Sequence, residues 1–161
     1  SVYSEPGQGA AFKILLPAYS VNEQEEIEAV REDLIRGKGH ILFVDDELPL
    51  LEIGKLILEK IGYTVEVKSN SLEALELFKS KPNSFDAVIT DQTMPELTGD
   101  KLAREMLKIR PRLPIILCTG FSKVISEEQA KQIGIRDYLT KPILQKDLAR
   151  MLANALSPDR T

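Results

Sequence analysis

The sequence predicts an α/β protein, a doubly wound five-stranded parallel sheet with helices on both faces, preceded by a β-hairpin and a helical linker. Three observations carry that prediction. From residue 40 onward, short apolar runs alternate with longer amphipathic stretches, and the pair recurs five times. The runs HILFV, DAVIT and LPIILC are nearly continuous in apolar residues, as strands covered on both faces are. The amphipathic stretches between them start at capping residues or end at Gly or Pro, as separate helices do.

The elements follow in order. Residues 1–17 hold two short extended segments, VYS and AAFKILL, around EPGQG. Pro6 presets its φ for a turn, and Gly7 and Gly9 accept positive φ without steric cost, so a hairpin is expected. A phosphate-binding loop is excluded, because no Lys follows the glycines and no helix opens after them. Residues 21–36, VNEQEEIEAVREDLIR, are charged, with apolar residues only along a stripe at 27, 30, 34 and 35. Asn22 caps this predicted linker helix, and Gly37 and Gly39 end it; it reads as a solvated connector or as a partner-binding helix.

The repeating part starts with the strand HILFV and the helix LLEIGKLILEKIG, which stops at Gly62. YTVEVK alternates as a strand, and SLEALELFKS is a helix with Asn70 and Glu73 spaced as a capping box. DAVIT is followed by the helix GDKLAREMLKIR, stopped by Pro111, and LPIILC by SEEQAKQIG, capped by Ser126 and Gln129. RDYLT and LQKDLARMLANAL complete the series before SPDRT frays.

Composition narrows the function. A chain of 161 residues with 43% hydrophobic residues can bury one core, and a net charge of −4 argues against a nucleic-acid surface. One cysteine, Cys118, excludes an internal disulfide and fits a reducing, cytoplasmic setting; no Cys or His spacing suggests zinc. No apolar run approaches the roughly 18 residues of a membrane span, and there is no signal peptide, so no direct membrane contact is expected of these residues. Ser1 is read as the cut edge of a longer chain, whose membrane anchor, if it has one, lies elsewhere.

In doubly wound sheets the chemistry collects at the carboxyl ends of the strands. There the sequence places Asp45-Asp46-Glu47, then Asp91, then Thr119-Gly120, then Lys141-Pro142. Singly, each has an ordinary explanation: Asp46 as a helix cap, Thr119 as a turn hydroxyl, Lys141 as a solvated lysine, Cys118 as a small core residue. Together, Asp45, Asp46 and Asp91 are like charges at close quarters, and Lys141 alone cannot balance them. A divalent ion that accepts hard oxygen ligands and keeps waters is the natural remainder, which suits Mg²⁺. A free carboxylate beside such an ion, a lysine and a hydroxyl is a phosphoryl-transfer arrangement, with the carboxylate as nucleophile. No base is needed, because an aspartate is already ionised at neutral pH.

With ILFVDDE, VITDQTMPELTG, ILCTG and YLTKP in order, residues 40 to about 156 resemble a response-regulator receiver domain of two-component signalling. The resemblance implies that Asp91 accepts phosphate from a histidine on a kinase or phosphotransfer domain. It implies that Asp45, Asp46, Asp91 and the carbonyl of Thr93 hold Mg²⁺, that Thr119 hydrogen-bonds the phosphoryl group, and that Lys141 pairs with it. It further implies a cis Lys141-Pro142 bond. Tyr138 matches the aromatic switch position, which turns inward as Thr119 moves and remodels the face of the fourth helix, fifth strand and fifth helix of the repeat. His40, the only histidine, stands at the entrance to a strand and is not expected to donate phosphate. SEPGQGAAFKILLP resembles the closing hairpin of a histidine-kinase ATP-binding domain, with Ala10 where that family often has Thr. The expected organisation is therefore a kinase-domain remnant at 1–18, a linker at 19–39, a receiver at 40–157 and a tail at 158–161, the order of a hybrid sensor histidine kinase. These residues lack the Mg-ATP motifs of that kinase domain and are not expected to act as a kinase; the orphaned hairpin and linker favour pairing between chains as a homodimer.

Two other readings compete. A haloacid-dehalogenase-type hydrolase also uses a strand-end Asp with Mg²⁺, Thr and Lys, but it wants Asp-x-Asp after its first strand, and here Asp45 and Asp46 are adjacent. An interaction module that keeps the fold without phosphorylation is the other.

Overall fold

The computed structural model describes residues 2–15, 37–120 and 127–157. The chain divides into two units, residues 1–33 and 34–161. The predicted linker helix and the cap at Ser126 lie outside the described residues.

In the first unit, β1 (Val2–Glu5) pairs antiparallel with β2 (Gly9–Phe12), in the register Val2↔Phe12 to Glu5↔Gly9. The turn between them has Gly7 at φ +80° and Gly9 at φ +88°, values a side chain would strain. EPGQG is thus a hairpin, and its flanking Glu5 and Gly9 are already strand.

The second unit runs β3 (His40–Val44), α1 (Leu48–Lys60), β4 (Thr64–Lys68), α2 (Ser71–Ser80), β5 (Ala87–Asp91), α3 (Gly99–Ile109), β6 (Ile115–Thr119), α4 (Glu127–Ile133), β7 (Asp137–Thr140) and α5 (Gln145–Leu156). The five strands β3–β7 form one parallel sheet in the order β4-β3-β5-β6-β7. The chain steps outward from β3 to β4, then crosses back to place β5 on the other side of β3. Such a reversal leaves a crevice at the carboxyl ends of β3 and β5.

Both faces of the sheet are buried, and the strand period of two divides them. Leu42, Val44, Val88, Ile115 and Leu117 face one core with Phe78 of α2 and Leu102 and Met106 of α3. Ile41, Phe43, Ile89, Ile116 and Cys118 face the other, with Leu51 and Leu58 of α1 and Leu148 and Leu152 of α5. This double burial is why the central strands read as continuous apolar runs. Helix α1 can lie on Phe43 only because residue 54 is glycine: a Cβ there would meet the Phe43 ring at 2.3 Å.

Element ends differ from the sequence reading by a residue or two. Helix α1 begins at Leu48 rather than Leu50, with Pro49 in its first turn and Glu47 as N-cap, so Asp46 is not its cap. The predicted capping box at α2 is half realised. Asn70 Oδ1 accepts the N–H groups of Leu72 and Glu73 at 2.9 and 3.0 Å, while the Glu73 carboxylate stands 3.6 Å from Lys68. Strands β5 and β6 run one residue further than predicted, so Asp91 and Thr119 close their strands instead of following them.

Candidate functional site

Strand register assembles the site. Val44 pairs with Thr90, so Asp45, the next residue, arrives beside Asp91. Asp91 pairs with Cys118 and Thr119 with Thr140, which brings Thr119 and Lys141 to the same rim. Two further backbone bonds hold the ends in step: Gln92 N–H to Cys118 O and Lys141 N–H to Thr119 O, both 2.8 Å. The Lys141-Pro142 peptide bond is cis, as the resemblance implied.

The Lys141 ammonium stands between the two carboxylates, 2.9 Å from Asp45 Oδ2 and 2.7 Å from Asp91 Oδ1. Glu47 Oε1 is a third neighbour at 3.6 Å. The remaining oxygens are also occupied: Asp45 Oδ1 accepts the Glu47 N–H at 2.9 Å, and Asp91 Oδ2 accepts the Thr93 N–H at 2.6 Å. Asp45 is fully buried, and Asp91 is 4% exposed.

Burial disfavours the charged form of Asp45 and holds its pKa above the ordinary carboxylate value, although the hydrogen bond from Lys141 pulls the other way. Burial alone would lower Lys141, but its hydrogen bonds to Asp91 and Asp45 outweigh that and raise it. The Cys118 thiol is pushed up to about 12, by burial first and then by the Asp91 charge. Lys141 is therefore a fixed positive charge at any physiological pH, and Cys118 is an inert core residue.

The other predicted residues lie around this triad. Asp46 and Thr93 are exposed on the loops after β3 and β5, and Thr119 is half-buried at the end of β6. Tyr138 is half-buried on β7 and packs against the α2–α3 core. Among the described residues, no three His, Cys, Asp or Glu side chains are gathered closely enough to hold a metal ion. The donor set nonetheless fits Mg²⁺ chemically: Asp45 and Asp91 converge on one ammonium, Asp46 follows Asp45 directly, and every donor is a hard oxygen.

Sequence reasoning did not single out three participants. Glu47 was seen only as part of an acidic run. Gly99 opens α3 where a Cβ would stand 2.2 Å from the Asp91 carbonyl oxygen, and a glycine at a helix start was the available signal. Asn70, read as a cap, also donates to Glu96 at 2.9 Å, a contact that sequence spacing does not reveal. Beside Lys141, an apolar groove of about 460 Å³ runs along Leu50, Ile53, Ile57, Pro142 and Ile143. No helix among the described residues is long and apolar enough to cross a membrane.

Comparison with known proteins places this arrangement. The family model for the response regulator receiver domain matches residues 41–153. The aerobic respiration control sensor protein ArcB of Escherichia coli (strain K12) is 31% identical over 155 residues, 94% of this chain and 20% of that protein. The transcriptional regulatory protein ZraR of Salmonella typhimurium is 35% identical over 125 residues, 75% of this chain and 28% of its own length. A crystal structure of a response regulator receiver domain protein from Clostridium thermocellum superposes with a TM-score of 0.70 at 38% identity, covering 73% of this chain and 93% of that one. The chain thus spans 20% and 28% of the length of these two curated relatives.

Proposed function

This chain belongs to the response regulator receiver family of two-component signalling, and from that premise we propose that it accepts a phosphoryl group from a phosphohistidine onto Asp91. The observation that supports this most directly is the Lys141 ammonium held 2.7 Å from Asp91 Oδ1. A carboxylate oxygen of Asp91 attacks phosphorus, the P–O bond forms, and the P–N bond to the donor imidazole breaks. Lys141 then turns from pairing with a carboxylate to neutralising a phosphoryl oxygen, and the Thr119 hydroxyl donates to another.

Receiver domains generally bind Mg²⁺ at this acidic site. Here Asp45, Asp46, Asp91 and the Thr93 carbonyl would hold it, and when bound it offsets charge on the transferred group. Asp45 is already deprived of water and tied to Lys141, so its charge is oriented before the ion arrives. Tyr138 follows Thr119, and the face of α4, β7 and α5 carries the change to a partner. The apolar groove, which Lys141 itself helps to line, supplies a docking surface for the phosphodonor.

The parent protein is read as a hybrid sensor histidine kinase. An alignment with ArcB over 94% of the chain must run through most of residues 1–40, whereas the 75% shared with ZraR need not. That favours 1–18 as the end of a kinase ATP-binding domain, 19–39 as linker, 40–157 as receiver and 158–161 as tail. The hairpin's exposed Val2 and Phe12 fit such an origin and also the pairing of chains as a homodimer.

The test is labelling with acetyl phosphate and Mg²⁺. The expected product is one acid-stable, hydroxylamine-labile phosphate per chain, absent in Asp91→Asn. A wild-type protein that takes no label, or an Asp91→Asn variant that labels equally, would overturn this reading; the first outcome leaves the interaction module.

A further inference from the structure

The loop after Asp91 is pinned at three successive residues. Met94 is buried in the α2–α3 core, the Pro95 carbonyl accepts Ser71 Oγ at 3.2 Å, and Glu96 Oε2 accepts Asn70 Nδ2 at 2.9 Å. Ser71 and Asn70 are the first residue and the N-cap of α2, so one helix start anchors the whole loop. Glu96 is the non-glycine residue at positive φ among the described residues, at φ +67°. That region suits glycine, and among side chains chiefly Asn and Asp, so a glutamate there needs an outside hold.

The Asn70 amide supplies that hold in a fixed orientation. Its oxygen accepts two α2 N–H groups, which leaves its NH₂ to face the Glu96 carboxylate. Turning the amide over would set oxygen against carboxylate and nitrogen against N–H donors. Both ends of the clamp are therefore specified. At the other end of the same short loop, Thr93 N–H donates to Asp91 Oδ2 at 2.6 Å.

We propose that Asn70 and Glu96 are positioning residues for the phosphoryl site: the α2 cap clamps the strained Glu96 and so fixes where Thr93 presents its N–H and carbonyl beside Asp91. The inference rests on the reading of Asp91 as phospho-acceptor and Thr93 as a metal ligand.

Asn70→Asp separates the clamp from the cap. Aspartate caps a helix as well as asparagine, but its second oxygen would meet the Glu96 carboxylate as a like charge. Hydrogen–deuterium exchange of the metal-free protein is expected to show faster exchange over residues 92–98 in this variant, with α2 protected as in wild type. Calorimetric titration with Mg²⁺ should give about tenfold weaker binding, the scale of an outer-shell ligand contact, and acetyl phosphate labelling should slow. Adding Glu96→Gln restores a donor to the pair and should return all three towards wild type. Wild-type exchange over 92–98 in Asn70→Asp, wild-type Mg²⁺ affinity in it, or a double variant as loose as the single one would overturn the proposal. Failure of wild type to label at Asp91 would instead overturn the acceptor reading, while the exchange arm still decides whether the clamp exists.

Discussion

Gly99 and Asp91 are in backbone contact: a Cβ at residue 99 would stand 2.2 Å from the Asp91 carbonyl oxygen and 2.7 Å from Leu117 Cδ1. The Gly99 N–H closes the loop between them by donating to Gln92 O at 3.1 Å. Because the obstacle is main chain, Gly99→Ala must push α3 off the sheet or displace Asp91. Urea denaturation is expected to show a loss of about 1–3 kcal/mol, the usual cost of overpacking, together with slower phosphorylation of Asp91. A variant as stable and as fast as wild type would show that α3 yields freely.

Asp45 sets a pH dependence whose sign is fixed by its raised pKa. The native state holds this proton more tightly than the unfolded chain, whose value is near 3.8. The contribution is therefore favourable below that value and is lost as pH rises through the native pKa. Where Asp45 is ionised, the desolvation of its buried carboxylate opposes folding. Asp45→Asn should melt a few degrees above wild type at pH 7, with the gap closing below pH 4. Saturating Mg²⁺ should stabilise wild type by about 2.7 kcal/mol at a hundredfold excess over Kd, chelation should remove that gain, and the variant should show little of it. Thermal melts with and without Mg²⁺ at the two pH values test both statements.

Removing Lys141 tests the opposite charge. Lys141→Ala leaves Asp45 and Asp91 facing each other without an ammonium, and the site is mostly closed to water, Lys141 being 20% exposed. A fully buried ion loses more when its partner goes; with this partial exposure the expected loss is about 1–3 kcal/mol at pH 8. The deficit should shrink at pH 5, because Asp45, freed from the Lys141 hydrogen bond that lowers its pKa, accepts a proton more readily than in wild type. Acetyl phosphate labelling should fall while the circular dichroism spectrum is retained; unchanged labelling would remove Lys141 from the mechanism.

The Cys118 thiol, pushed up to about 12 by burial and by Asp91, is expected to be unreactive in the folded protein. At pH 8 a disulfide exchange reagent should modify it only as fast as the sheet opens, and at the free-thiol rate in urea. Fast modification without denaturant would show that the end of β6 is open to solvent.

How much of this was legible in the sequence follows from what each residue obeys. The order of strands and helices was legible because HILFV, DAVIT and LPIILC carry a periodicity fixed by burial on both faces. Asp45, Asp91, Thr119 and Lys141 were legible because each stands where an apolar run ends. Strand ends were misjudged by one residue at Asp91 and Thr119, since polar residues that extend a ladder look like loop. The roles of Asn70, Glu96 and Gly99 were not legible, because they act through contacts between elements rather than through spacing within one. The ordinary explanation of Asp46, a helix cap, does not apply, since the structure gives that position to Glu47 and the Glu47 N–H to Asp45.

The pairing of Asp45 with Lys141 spans 96 residues of sequence. It joins the residue after the first strand of the parallel sheet to the residue after its last. On a ribosome the two carboxylates would emerge long before the ammonium that balances them. A chain halted before β7 lacks Lys141, the ammonium that stands between Asp45 and Asp91. On the proposed reading, the full set of charges for taking phosphate is therefore complete only after the final strand has been made.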